Sequence, residues 1–150
     1  MACAECAENC EIENPRNLVS SVASGLLFAL AWWLAIDAAC VYSKDDQLPP
    51  AFHTPGVFGT IAFILINCVP NSALHDEYGT GRIGRRGALV CLFIAFLTAF
   101  ASVIAACWIL FGGYVAMGKT PVWPGVAILL QNLFLCIAAV LFRFGRKDEE

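Results

Sequence analysis

An all-α polytopic membrane fold, a four-helix transmembrane bundle with both termini in the cytosol, is predicted by three features of this 150-residue sequence. The chain is 59% apolar and only 14% charged, with a mean hydropathy of +0.72, whereas soluble domains carry about 25% charged residues. Its charges bracket four uncharged stretches, 17–36, 47–75, 87–118 and 120–142, and each is long enough for the roughly 20 residues of helix that cross a bilayer core. Four spans put the termini and the middle loop on one side. That side holds Arg16, Arg82, Arg85, Arg86, Arg143, Arg146 and Lys147, against only Lys44 and Lys119 on the other, so the positive-inside bias places the termini in the cytosol.

The elements follow in order from their punctuation. After a cytosolic tail, residues 1–17, the first span covers about 18–42, entered after Asn14-Pro15 and left at the polar segment 43–50, with Asp37 as its only charge. The second covers about 55–74, its purely apolar part ending at Val69, and is bounded by Pro49-Pro50 and by Pro70-Asn71. The third covers about 88–114, entered from the basic, glycine-rich segment 79–87, and the fourth about 122–144, ahead of a short cytosolic tail, 145–150. Backbone groups cannot stay unpaired in lipid, and four spans cannot close a barrel, so each span is a helix. Trp32, Trp33, Tyr42, Trp108, Tyr114 and Trp123 all map to the lumenal half or edge, where a ring rests in lipid and its polar atom reaches water. The whole chain reads as a single membrane domain with lumenal loops of about ten residues.

The same composition excludes several functions. A net charge of −3 leaves no broad basic surface for nucleic acid. Glu5, Glu8, Glu11 and Glu13 ahead of a single Arg16 lack the positive start of a cleavable signal peptide, so the first span is expected to remain in the mature protein. Of eight cysteines, Cys68, Cys91, Cys107 and Cys136 lie within apolar stretches, where a thiol behaves as a small apolar side chain, and no disulfide framework is expected. Metalloprotease, nucleophile-elbow and phosphate-loop patterns are absent from the sequence, as is a second intramembrane acid to pair with Asp37. A non-enzymatic protein without a cofactor is expected.

The polar residues within the spans are the candidates for function. Asp37 lies 19 residues past Leu18, roughly 28 Å along the helix at about 1.5 Å per residue, which places it near the lumenal interface. Three roles are open to it: reaching lumenal water or capping a neighbouring helix, pairing with a partner subunit, or forming an ion or proton site. Asn67, Gln131 and Asn132 are expected to bridge helices by hydrogen bonds, the alternative being a translocation path. Small residues spaced by four, Ser20 with Ser24, Ser21 with Gly25, Ala101 with Ala105 and Ser102 with Ala106, predict close-packed faces on the first and third helices. Cys3, Cys6 and Cys10 would share one helical stripe. They are open to three readings: a plain tail, S-palmitoylation, or a metal site one ligand short of a closed zinc tetrahedron. The basic run Arg82, Arg85 and Arg86 suits topology and contact with lipid headgroups.

Five segments together resemble a known family. Gly25-Leu-Leu-Phe-Ala-Leu-Ala-Trp32-Trp33-Leu-Ala-Ile-Asp37-Ala, Gly59-Thr-Ile-Ala-Phe-Ile-Leu-Ile-Asn67, Trp108-Ile-Leu-Phe-Gly112-Gly113-Tyr-Val, Pro124-Gly-Val-Ala-Ile-Leu-Leu-Gln131-Asn132 and Phe144-Gly-Arg146 are similar, in order, to the transmembrane protein 50 family of small four-span eukaryotic proteins. Ala31 stands where that pattern has Gly before the tryptophan pair, and aromatic positions near Cys91 and at Leu129 and Leu130 are replaced, changes that touch packing. The resemblance implies a non-enzymatic protein of late endosome, Golgi or endoplasmic reticulum. Its fungal relative pairs with a small multi-pass protein of the leptin-receptor-overlapping-transcript type and acts in vacuolar sorting. The resemblance further implies that Trp32, Trp33, Asp37, Asn67, Trp108, Gly112, Gly113, Gln131 and Asn132 pack helices or touch that partner. A small channel or transporter component using Asp37 and the span amides is the alternative.

Overall fold

The structure, a computed structural model, describes residues 15–75 and 84–146. Helix α1 spans Pro15–Val41, a 3-10 turn at Pro50–His53 leads into α2, Thr54–Cys68, and a single turn, α3, covers Asn71–His75. Helix α4, Arg85–Trp108, runs on into a π-helical segment, Ile109–Val115, and α5 spans Trp123–Gly145. Four helices are long and apolar enough to cross a membrane: Pro15–Val41, Pro50–Cys68, Arg85–Val115 and Trp123–Gly145. The fold is therefore all-α and polytopic.

Helix α5 is the hub. It packs most extensively on α1, then on α2 and α4, while α2 also lies along α4. Its nine buried residues, including Ala127, Ile128, Gln131, Asn132, Leu135, Ala138 and Ala139, recur at the three- and four-residue steps of a broad helical face. The partners answer with small side chains: Ser20, Ser24, Ala31, Ala35 and Ala38 on α1, and Ala88, Ala95, Ala99, Ser102 and Ala106 on α4. Large apolar residues point outward instead, among them Leu26, Trp33, Phe93, Ile104 and Trp108. Lipid tails are as apolar as any core, so helices in a bilayer gain by close van der Waals contact, and small residues permit it.

Only one register of each small pair is used this way. Ser20 and Ser24 are buried, whereas Gly25 faces outward with nothing within 4 Å of the position its Cβ would take. Ser102 and Ala106 are buried, whereas Ala101 and Ala105 are exposed.

Two expectations need correction. The second span does not continue to residue 74: α2 stops at Cys68, Val69 is extended, and residues 71–75 form a separate turn. Pro70 is the cause, because the ring disfavours helical geometry in the residue before it. Tyr114 does not sit in an interfacial belt with its hydroxyl in water. It is 1% exposed, and the hydroxyl donates to the Gln47 carbonyl at 2.6 Å. The π turn, closed by Ala116 N–H to Phe111 O and Lys119 N–H to Tyr114 O, widens the helix around Gly112 and Gly113 and carries the ring inward. There it meets Phe52 edge-on at 5.8 Å between centroids and abuts Gly125.

Candidate functional site

The polar residues of the spans collect in three places. The first is a seam in the middle of the bundle. Gln131 is 1% exposed and Asn132 fully buried, and both face α2 where it carries glycine. A Cβ on Gly56 would lie 2.6 Å from the Gln131 amide nitrogen, and one on Gly59 would lie 3.0 Å from Asn132 Oδ1 and 3.3 Å from Ser102 Oγ. The glycines are thus the space into which the amides fit.

The expected hydrogen bonds between helices are not what these amides make. Asn132 Nδ2 donates to Ile128 O at 2.9 Å, and Asn67 Nδ2 to Phe63 O at 2.8 Å, each one turn back in its own helix. A carbonyl one turn back is always within reach, so the helix itself captures the donor. The carbonyl oxygens of Asn67, Gln131 and Asn132 are buried and accept no hydrogen bond from the described residues. Within the apolar part of the bundle, Ser24 Oγ of α1 crosses to α5 and donates to Ala138 O at 2.8 Å.

The second place is the end of the bundle away from Pro15 and Gly145. Asp37 is exposed there near the end of α1, as are Trp33 and Trp108, while Trp32 is half-buried. Gly113 packs against Phe52, 3.3 Å from its Cβ position to the ring, and Gly112 lies over Trp108 of the same helix. Asp37 and the amides therefore do not converge on one site. Between α2 and α4, near this end, a groove of about 940 Å3 opens sideways. Pro55 and Phe58 form one wall, and Ala101, Ser102, Ala105 and Trp108 the other.

The third place is the end that gathers the described arginines: Arg16 at the start of α1, Arg85 and Arg86 at the start of α4, and Arg143 and Arg146 at the end of α5. Arg143 Nη1 donates to Val69 O and, at 3.3 Å, to Ile66 O, which satisfies carbonyls released where α2 ends. Arg16 Nε donates to Gly145 O at 3.1 Å and does the same for α5. Sequence reasoning assigned these arginines to topology and missed their capping, because the carbonyls they meet lie 74 to 129 residues away in the chain. A small polar cavity of about 150 Å3 lies beside them, between Asn67, Asn71, Arg143 and Arg146. Among the described residues no group of three His, Cys, Asp or Glu could hold a metal ion. Cys3, Cys6 and Cys10 lie outside the described residues.

Comparison with known proteins bears on this arrangement. The model of the Uncharacterised protein family (UPF0220) matches residues 1–150. The Transmembrane protein 50 homolog of Dictyostelium discoideum is 29% identical over 140 residues, covering 85% of this chain and 90% of the relative. The chain belongs to the transmembrane protein 50 family. Membership agrees with four apolar helices and places the chain among multi-pass membrane proteins. No solved structure matches this member of the transmembrane protein 50 family.

Proposed function

We propose that this chain is a non-enzymatic adaptor or assembly subunit of endomembrane protein traffic, between late endosome and vacuole or lysosome, that binds a partner membrane protein within the bilayer. The observation that carries the proposal is the groove between α2 and α4. Along α4 the groove is lined by the small residues Ala101, Ser102 and Ala105 set between the large exposed side chains of Leu97, Ile104 and Trp108. Lipid contact needs no small residues, whereas the close approach of another helix does. The family resemblance supplies the class of partner, a small multi-pass protein of the leptin-receptor-overlapping-transcript type. It also supplies the setting, with late endosome, Golgi and endoplasmic reticulum as the candidate compartments.

Affinity purification of the full chain in mild detergent tests this. The native protein is expected to bring down one membrane protein in stoichiometric amount. The double variant Ala101→Leu with Ala105→Leu, which fills the groove, should lose it, while Gly25→Leu on the far face of α1 should keep it. Recovery of the native chain alone, or equal recovery with all three proteins, would overturn the proposal.

A further inference from the structure

We propose that the polar cavity at the arginine end binds the phosphate of an anionic membrane lipid with a small, phosphomonoester headgroup. This stands apart from the groove between α2 and α4 and from any partner that fills it. The cavity opens at the surface between the end of α2 and the end of α5. Asn67 and Asn71 bracket the break at Pro70 between α2 and α3, and Arg143 and Arg146 reach it from the last turn of α5.

One guanidinium group is anchored by hydrogen bonds, and the other, exposed, rests on an aromatic ring. Arg143 is anchored through Nη1 to the Ile66 and Val69 carbonyls, and Arg146 lies 5.0 Å over the Phe142 ring. The anchored guanidinium of Arg143 favours an oxyanion, because less side-chain freedom remains to be lost on binding. Asn71 contributes amide N–H donors of the kind a phosphate oxygen accepts, and Asn67, whose Nδ2 already donates to Phe63 O, has one amide N–H left.

Height and size narrow the ligand. Arg143 follows Trp123 by 20 residues, about 30 Å of helix, which is the thickness of the hydrocarbon core, so both arginines fall at the level of the phosphates. A cavity of about 150 Å3, open to the surface, takes one phosphate group, and a phosphomonoester headgroup asks for nothing more. Basic cavities between helices at a membrane surface are suited to anionic headgroups. Acidic residues of the chain that are near in sequence, Asp76, Glu77, Asp148, Glu149 and Glu150, lie outside the described residues and are the natural competitors.

The test uses the full chain in a neutral detergent, with thermal unfolding read by tryptophan fluorescence against added dioctanoyl phosphatidic acid. A saturable rise in unfolding temperature is expected. Arg146→Gln should shift the half-saturating concentration upward about fivefold, the effect of one charge at a headgroup site. Asn71→Leu, which fills the cavity at constant charge, should shift it comparably, and Arg85→Gln, outside the cavity, should leave it within about twofold. Elution on size exclusion confirms that each variant is folded before titration. Equal weakening by Arg85→Gln, or an equal response to dioctanoyl phosphatidylcholine, would show diffuse adsorption and overturn the proposal. An inorganic phosphate titration with the same midpoint would assign the cavity to the free ion and overturn the lipid. Stabilisation seen only in a chain ending at Lys147 would give the cavity to the protein's own carboxylate tail and equally overturn it.

Discussion

Leucine placed at Gly59 and at Gly25 should have opposite effects, although both glycines lie inside long apolar helices. At Gly59 the Cβ alone would stand 3.0 Å from Asn132 Oδ1, 3.2 Å from Leu135 Cδ1 and 3.3 Å from Ser102 Oγ. These neighbours come from α4 and α5, so the remaining three carbons of leucine have no direction in which to go. Overpacking of this kind costs about 1–3 kcal/mol for added methylenes, and relief here requires α2 to back away from both neighbours at once, so a loss of about 3 kcal/mol is expected. At Gly25 nothing lies within 4 Å, and exchanging glycine for a good helix former gains about 0.5–1 kcal/mol. The two variants should therefore differ by about 3–4 kcal/mol, more than a hundredfold in the ratio of folded to unfolded chain. Unfolding by dodecyl sulfate in mixed micelles, followed by tryptophan fluorescence, measures that ratio. Stabilities within about 1 kcal/mol of each other would refute the seam between α2 and α5 as a close-packed contact.

Two further outcomes follow from individual contacts, and a third from the charge bias. Ser24→Ala removes the hydrogen bond from α1 to Ala138 O and should cost about 0.6 kcal/mol and at most about 1.7, measured by the same titration. Arg143→Met keeps most of the bulk but leaves the Ile66 and Val69 carbonyls without their charged donor; a loss of about 2–3 kcal/mol is expected, with faster hydrogen exchange at the end of α2 in a detergent-solubilised sample. Orientation can be read by thiol labelling. In a chain with its native cysteines replaced by alanine, Ser43→Cys should resist a membrane-impermeant maleimide on intact cells until the membrane is permeabilised, and Arg85→Cys should resist it too until the plasma membrane alone is opened. Labelling of Ser43→Cys at that first step would reverse the orientation expected from the positive-inside bias.

The existence of four helices was readable because the bilayer imposes length and apolarity on each one, and charges and prolines mark the ends. Pro70 shows the limit of that signal. The uncharged stretch runs on to His75, yet a single ring ends the helix at Cys68. The small-residue pairs were readable as pairs, but not in phase. Ser20 and Ser24 differ from Ser21 and Gly25 only by a rotation of about 100° around the helix, and both sets look alike to a spacing count. The amides show the reverse. Their place in the fourth span was plain, while the direction of their hydrogen bonds depended on a carbonyl of their own helix competing with one across a gap.

By itself, the sequence determined how many times this chain crosses a membrane, which end carries the arginines, and the absence of a recognisable catalytic motif. Those properties are sums over segments, set by the cost of placing charge and unpaired backbone in hydrocarbon. Tertiary structure alone decided that α5 is the hub, that Gly56 and Gly59 make room for Gln131 and Asn132, that Tyr114 turns inward, and that Arg143 caps a helix 74 residues away. In a bilayer every outward face is apolar whether or not it packs, so hydrophobicity cannot choose the neighbours. Fit between particular side chains does, and that fit exists only once the helices have met.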